Sequence, residues 1–555
     1  MKIGKIWIAL IAVILVVIFG FSFFSNKGIN VVTTSMAEFE VTENPQGTAF
    51  VTKQSPLMVS LLLNPQQINS LVKFVPRSNE SKNVMAGMEK LRTTLLTQAQ
   101  IDSLDDIKDW IDDEVTFAVT SLDYDDDRDN GTQPGYLLAV KNNDRQLASQ
   151  FLQTYYTPEI VGGNENSQLT FDEYQGVNII YRYPTNSFSR VKKLAAAVVG
   201  DFVLFANDLP VLIDAINNAQ AVDLNLDHDL DYQNSIATLP KNKVGVVYLN
   251  LPNTSAWITN KPEIEDVANT QSLTLTLQLN NYGVITRSAL FTGQENEKAT
   301  TFDSVPNSLK YVSDESILTI AGFNLQELGI DIKTEAGVNN PFAQILTQII
   351  SPLDSSLPFN LEEDVFAKVS GEYALSLTIK EEQNTLDWFF VNELMEEQGA
   401  LSPTFDEMAQ SSDLSIGNLP IEEDSVVTWT KLITSDDDSS SVLEAEIKGV
   451  HTEVDNYEIL SSSVSLLSDS LSKSSGRLLK SNGWEKSIDA LPRENNGYLY
   501  LKWKPLKPYL VRRLPLLKIV ELGFKPLFDN LDSVTVTDEG VEEGIQKGSV
   551  FFKFS

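Results

Sequence analysis

An α+β fold is what this sequence predicts: an N-terminal transmembrane helix followed by two tandem, internally duplicated domains of mostly antiparallel sheet with packed helices. Three observations carry the expectation. Residues Ile6–Ser25 form an uncharged, strongly apolar run. Beyond it, short apolar runs bounded by turn residues alternate with segments of helical spacing, the pattern of hairpins interleaved with helices. Several motifs then recur in the same order about 250 residues apart.

The apolar run comes first. About twenty residues span a hydrocarbon core of about 30 Å. Lys2 and Lys5 precede the run, and basic flanks stay on the cytoplasmic side. A cleaved signal has a shorter apolar region and a small-residue cleavage site, whereas Phe21, Phe23 and Phe24 follow here. The expectation is an uncleaved signal anchor (6–25) after a short cytoplasmic tail (1–5), with the bulk in a periplasm or thylakoid lumen.

After a polar connector (26–50), the strands expected are Leu57–Leu63, Val115–Leu122, Tyr136–Val140, Gln168–Phe171 with Val177–Tyr183, Ala195–Val199 with Phe202–Ala206, Val244–Leu249, and the hairpin Ser272–Leu279 with Val284–Phe291. Helical spacing marks Pro65–Val75, Val84–Ala99, Arg145–Tyr156 and Val211–Asn218, and a short amphipathic helix is expected at Ile107–Trp110.

The second half repeats the first. SIATLPKNKVGVVYLNL from Ser235 and SIDALPRENNGYLYLKW from Ser487 share Ser-Ile, Leu-Pro, Gly and Tyr-Leu at an offset of 252. Ala195–Asn207 matches Glu444–Asn456 at an offset of 249, with Gly200 and Gly449 coinciding as turn glycines. SLDDIKDWIDDEVTFAVTSL resembles NLEEDVFAKVSGEYALSLTI. The expected domains are therefore 51–292 and 305–555, joined by the polar linker 293–304, side by side or sharing one sheet.

The net charge of −34 repels phosphates, so nucleic acid is excluded as a partner. With no cysteine, disulfides, thiolate nucleophiles and Cys metal sites are out. No Gly-x-Ser-x-Gly, P-loop or dinucleotide fingerprint occurs, and no catalytic residue or cofactor is assigned. The sequence holds two histidines. His451 falls within a strand, aligned with Phe202. His228 lies in an acidic stretch where Asp227, His228, Asp229 and Asp231 are the candidate metal ligands, against the commoner reading of an acidic loop before a helix. Asp125 opens a calcium-loop-like stretch that fails, because Asn130 and Tyr136 stand where the loop requires Gly and Glu.

One segment departs from the acidic background: Lys502, Trp503, Lys504, Lys507, Tyr509, Arg512, Arg513 and Lys518 form a basic, aromatic strip that the first copy lacks. It reads either as a surface for anionic lipid or an acidic partner, or as a connector whose apolar residues face the core.

The segments SPLMVSLLLNPQQ, DIKDWIDDEVTFAV, AAAVVGDFVLFANDLPVLIDAINN and LPKNKVGVVYLNL together resemble the DUF3352 family over most of 50–555. The resemblance implies a cyanobacterial host and an envelope or thylakoid location. It supplies no activity and no site residue. The function expected is a membrane-tethered scaffold, binding or assembly-factor module with an unknown protein partner. The alternatives are a carboxylate- or metal-dependent hydrolase and a hydrophobic-ligand carrier.

Overall fold

The computed structural model describes residues 44–62, 109–125, 127, 129, 131–155, 167–185, 193–259, 271–291, 301–326, 361–380, 385–395, 399–421, 424–437, 440–472, 476–513 and 529–554. In the first half the strands are β1 Leu57–Leu62, β2 Ile111–Ser121, β3 Gly135–Asn142, β4 Ser167–Tyr174, β5 Val177–Pro184, β6 Leu194–Val199, β7 Phe202–Ala206, β8 Gly245–Asn250, β9 Ser272–Asn280 and β10 Gly283–Phe291. In the second they are β11 Leu318–Phe323, β12 Glu372–Lys380, β13 Thr385–Glu393, β14 Ser415–Ile421, β15 Asp424–Asp437, β16 Ser440–Val454, β17 Tyr457–Ser461, β18 Gly497–Lys502, β19 Leu531–Glu542 and β20 Ile545–Phe554. The longer helices are α1 Arg145–Tyr155, α2 Leu209–Gln220, α3 Leu230–Ala237, α4 Leu251–Thr259, α5 Ser402–Ser411, α6 Val464–Leu471, α7 Asn482–Ala490 and α8 Trp503–Arg513.

Among the described residues the strands make one antiparallel sheet of twenty. In the first half they pair in the spatial order 4-5-6-7-3-2-1-8-9-10. The second half repeats that order, as 14-15-16-17-13-12-11-18-19-20. The halves meet where β10 pairs β20, with Gly283 opposite Lys553 at one end and Phe291 opposite Ile545 at the other. Strands β4 and β14 form the outer edges. Strand β1 explains its central position: LMVSLL is buried along its whole length. Its Leu57, Val59 and Leu61 enter the largest apolar cluster, and Met58 and Leu62 enter another with Tyr232 and Ile236 of α3. Alternate side chains of a strand face opposite ways, so an unbroken apolar run needs cover on both faces.

That largest cluster runs through both halves and takes in α1, α4, α5 and α8 through Leu152, Leu251, Phe405 and Leu506. Helices α2, α3, α6 and α7 serve smaller clusters, of which the one under α3 also takes in Ile545 of β20.

Two expectations are corrected. Among the described residues no helix is long and apolar enough to cross a membrane, so the fold is a large antiparallel sheet with short helices and the single-pass membrane assignment is withdrawn. The run Ile6–Ser25 on which it rested lies outside the described residues. An apolar run reports only a preference for leaving water, and hydropathy alone does not say which apolar environment receives it. The expected helices Pro65–Val75 and Val84–Ala99 also lie outside the described residues. Of the short helix expected at Ile107–Trp110, the described part, Asp109–Trp110, is a turn into β2.

The repeat itself needs a shift of register. Strand pairing makes Asp455, not Gly449, the counterpart of Gly200: the β6–β7 and β16–β17 turns put these two residues at φ +58° and +53°. Gly449 lies inside β16, where a Cβ would come within 2.5 Å of the Trp429 ring. His451 therefore corresponds to Ala196, since His451 pairs Leu460 as Ala196 pairs Phe205. Strand β12 likewise moves by one residue, which makes Glu372 the counterpart of Glu114.

Candidate functional site

The shared skeleton absorbs many of the polar groups. Glu114, 3% exposed on β2, accepts the backbone N–H groups of Gln46 (2.9 Å) and Gly47 (2.7 Å) and so caps the 3₁₀ turn Gln46–Phe50. Burial pushes its pKa above the ordinary carboxylate value, although both backbone bonds and the Thr116 hydroxyl pull the other way. Glu372 repeats the device on Asn307–Tyr311, accepting Ser308 N–H at 3.2 Å and the Asn307 amide at 3.1 Å. Asp229 caps α3 and Ser481 caps α7, each through the N–H three residues on. The residue reached is Tyr232 in one half and Trp484 in the other, both in the core. Tyr232 stands edge-on to Tyr248 at 5.6 Å, as Trp484 does to Tyr500 at 5.5 Å.

Against this common frame, the differences between halves locate the candidate site. In the first half Ala49, Phe50, Gly200 and Phe202 surround the capped turn, and the two phenyl rings meet edge to face at 5.1 Å. In the second half the equivalent positions hold Lys310, Tyr311, Asp455 and Tyr457. The rings keep their contact, at 5.6 Å. The Lys310 ammonium lies 4.7 Å from the centre of one ring and 5.0 Å from the other, a cation–π arrangement. It donates to Asp455 at 3.1 Å, and Tyr311 donates to the same carboxylate oxygen at 3.1 Å. Tyr457 donates to Glu372 at 3.0 Å.

Burial works against the charge on Lys310, but hydrogen bonds to Tyr311 and Asp455 outweigh it and hold its pKa above the ordinary value. The Lys310 hydrogen bond holds Asp455 below the usual carboxylate range, with Tyr311 adding to it. The Lys310 and Asp455 side chains are 44% and 69% exposed. The cluster therefore offers a fixed cation and anion on an aromatic base at the surface.

A second cluster particular to this half joins α5 to the sheet. Asp406 accepts Trp429 Nε1–H at 2.7 Å, and the same oxygen lies 3.0 Å from His451 Nε2. The His451 side chain is only 7% exposed and the Asp406 side chain 28%, so the imidazole is buried while the carboxylate is half-buried. The first half has its own cluster. Lys193 pairs with the buried Asp208 at 2.6 Å, Tyr183 donates to Asp208 at 3.3 Å, and Asp208 caps α2. Burial, with Asp208 beside it, pushes Tyr124 up to about 12.

The candidate ligands expected from sequence are not gathered. Asp229 is the α3 cap, and Asp231 lies in its first turn. His228 contacts Asn225 through both its backbone N–H and Nδ1, and Asp227 accepts the Thr48 hydroxyl at 3.2 Å. Among the described residues no group of three His or acidic side chains is set to hold a metal. The basic strip is folded in over its first part. Lys502 donates to the Asp314 carbonyl. Trp503 is 4% exposed in the main cluster, and Lys507 pairs with Asp529 at 3.0 Å. Lys504 is exposed on α8. Tyr509, Arg512 and Arg513 belong to the same helix, and Lys518 lies outside the described residues.

The model of one family, described as a protein of unknown function (DUF3352), matches residues 6–554. The chain belongs to the DUF3352 family. No curated protein and no solved structure matches it. Within this DUF3352 chain, sequence reading missed Lys310, Tyr311, Asp455 and Tyr457. The register assigned to the β16–β17 turn hid them: with Gly449 set against Gly200, Asp455 and Tyr457 lost their counterparts. Aligning the turns through Asp455 exposes the exchange.

Proposed function

We propose that this chain is a non-catalytic binding or scaffold module whose two halves form one platform. The observation that carries the reading is the β10–β20 ladder, which turns two copies of one unit into a single continuous sheet. A sheet joined through backbone hydrogen bonds holds surface features of both halves at fixed separation, which is what a scaffold needs. The copy-specific Lys310–Asp455 cluster lies on that frame, exposed, with its charges oriented by neighbouring tyrosines. The test is cross-linking of the tagged chain in its own cells, followed by purification. The reading expects a protein partner at fixed stoichiometry, with its cross-links falling on the platform. A chain recovered alone across repeated purifications contradicts it.

One observation favours a second reading, a carboxylate-dependent hydrolase: the His451–Asp406 pair has acid–base geometry. Burial of the imidazole, 7% exposed beside Trp429, weighs against its direct access to substrate. Hydrolysis of chromogenic glycoside, ester or peptide substrates by the purified chain, abolished by D406N, would favour it.

A further inference from the structure

The β15–β16 hairpin is much longer than its counterpart. Strands β5 and β6 span Val177–Pro184 and Leu194–Val199, whereas β15 and β16 span Asp424–Asp437 and Ser440–Val454. Strand β14 pairs β15 only as far as Thr430, and β17 pairs β16 only from Val450 onward. Past a bulge at Trp429/Thr430, Lys431–Asp437 and Ser440–Glu446 pair with each other alone among the described residues. Among the described residues the ribbon has an unpaired backbone edge on each side. A free two-stranded ribbon is marginal in water, and natural edges of this kind are normally blunted or covered.

This one carries exposed apolar groups instead. Leu432 is 54% exposed, Ile433 39% and Ile447 39%. Ile447 lies opposite Thr430, and Ala445 lies opposite Leu432, so Leu432 and Ile447 are diagonal neighbours on one face. Ile433 lies on the other. The sequence around them is acidic: Asp436, Asp437, Asp438, Glu444 and Glu446 outnumber Lys431 and Lys448.

We propose that this arm is a docking site for an extended segment of a partner protein, rich in alternating apolar and basic residues, which adds to it as a further strand. The occupant follows from three needs. Unpaired edge groups call for a strand's backbone, as in β-augmentation. Leu432 and Ile447 call for apolar cover. The carboxylates call for cations. A second copy of this chain answers the last need poorly, because each copy carries −34 and like charges repel. The inference rests on the binding-module reading and names where the partner sits.

The probe is a fluorescein-labelled decapeptide of alternating lysine and valine, titrated by anisotropy into the full chain. Three variants are compared: native, L432S/I433S/I447S, and L419S, which removes an exposed apolar group away from the arm (Leu419 is 38% exposed). Saturable binding is expected, weakened tenfold or more by the triple variant and unchanged by L419S. A peptide N-methylated at alternate residues should bind at least tenfold less well. Equal binding by the triple variant would reduce the effect to bulk charge and overturn the proposal, as would absence of saturable binding to the native chain. Circular dichroism checks that the variants are folded. A partner cross-linked equally to the native chain and the triple variant sinks the arm while leaving the module standing. A native chain with no partner at all sinks the module itself.

Discussion

Replacing Glu114 by Ala should open the Gln46–Phe50 turn without unfolding the sheet. The carboxylate accepts two backbone N–H groups, at 2.9 and 2.7 Å, from a residue only 3% exposed. A donor stranded in a buried site costs about 1–3 kcal/mol; Gly47 N–H is such a donor and the part-buried Gln46 N–H adds less, so the variant should lose about 3 kcal/mol of local stability. At about 1.4 kcal/mol per tenfold, local opening rises roughly a hundredfold or somewhat more. Hydrogen exchange read by mass spectrometry on a peptide covering residues 44–51 measures this directly, without requiring two-state unfolding of a large chain. Glu372 accepts one backbone N–H of its turn, from Ser308 at 3.2 Å; its other bonds, at 3.1 and 3.0 Å, come from the side chains of Asn307 and Tyr457. E372A should therefore cost about 1 kcal/mol in the peptide covering 305–312. Unchanged protection in E114A, or an equal effect of E372A, would refute the assignment of Glu114 as a buried cap.

The same residue predicts a pH dependence. Glu114 has its folded-state pKa raised above 4.5, so folding favours its protonated form. That contribution is fully present below the unfolded value and is lost as pH rises through the folded one. The urea midpoint of the native chain relative to E114Q should fall as pH is raised from about 4.5 toward neutrality; a rise would contradict the direction. Trp484 is fully buried against Tyr498 and Tyr500 at 5.6 and 5.5 Å, so W484A should cost about 3–5 kcal/mol. W484Y should recover much of that, because Tyr232 occupies the equivalent place; chemical denaturation compares the two. G200A puts a side chain at φ +58° in open space and should cost about 1–2 kcal/mol from backbone strain alone, read as a lower thermal midpoint.

Much of the sheet was legible because strands and turns announce themselves locally. Ala195–Val199 and Phe202–Ala206 flank Gly200-Asp201, and β6 and β7 fall there within a residue. The helix expected at Val211–Asn218 followed from its spacing and is found within α2, Leu209–Gln220. A shared sheet was one of the two arrangements the repeat allowed, but the strands that make the join were not legible, since β10 and β20 lie far apart in sequence and neither strand's pattern names its partner. The candidate cluster was hidden for a related reason. An Asp in the left-handed conformation does a glycine's work at the β16–β17 turn, so reading glycine for turn moved the alignment by six residues and Tyr457 away from Phe202. The strip Lys502–Lys518 misled because composition does not report direction. Trp503 and Leu506 point into the core and Lys507 finds Asp529, leaving less charge outward than the sequence implies.

Two copies of one unit are fused through β10 and β20 into a single sheet. The chain has no cysteine of its own, so an engineered pair reports without interference. Ser288 lies opposite Gly548, with the Ser288 hydroxyl 3.0 Å from the Gly548 carbonyl, and directly opposed residues come close enough to bridge. S288C/G548C should form an intramolecular disulfide almost completely under mild oxidation, seen as faster migration on a non-reducing gel. The slipped pair S288C/K547C should not. Failure of the first pair, or equal bridging by both, would contradict the join.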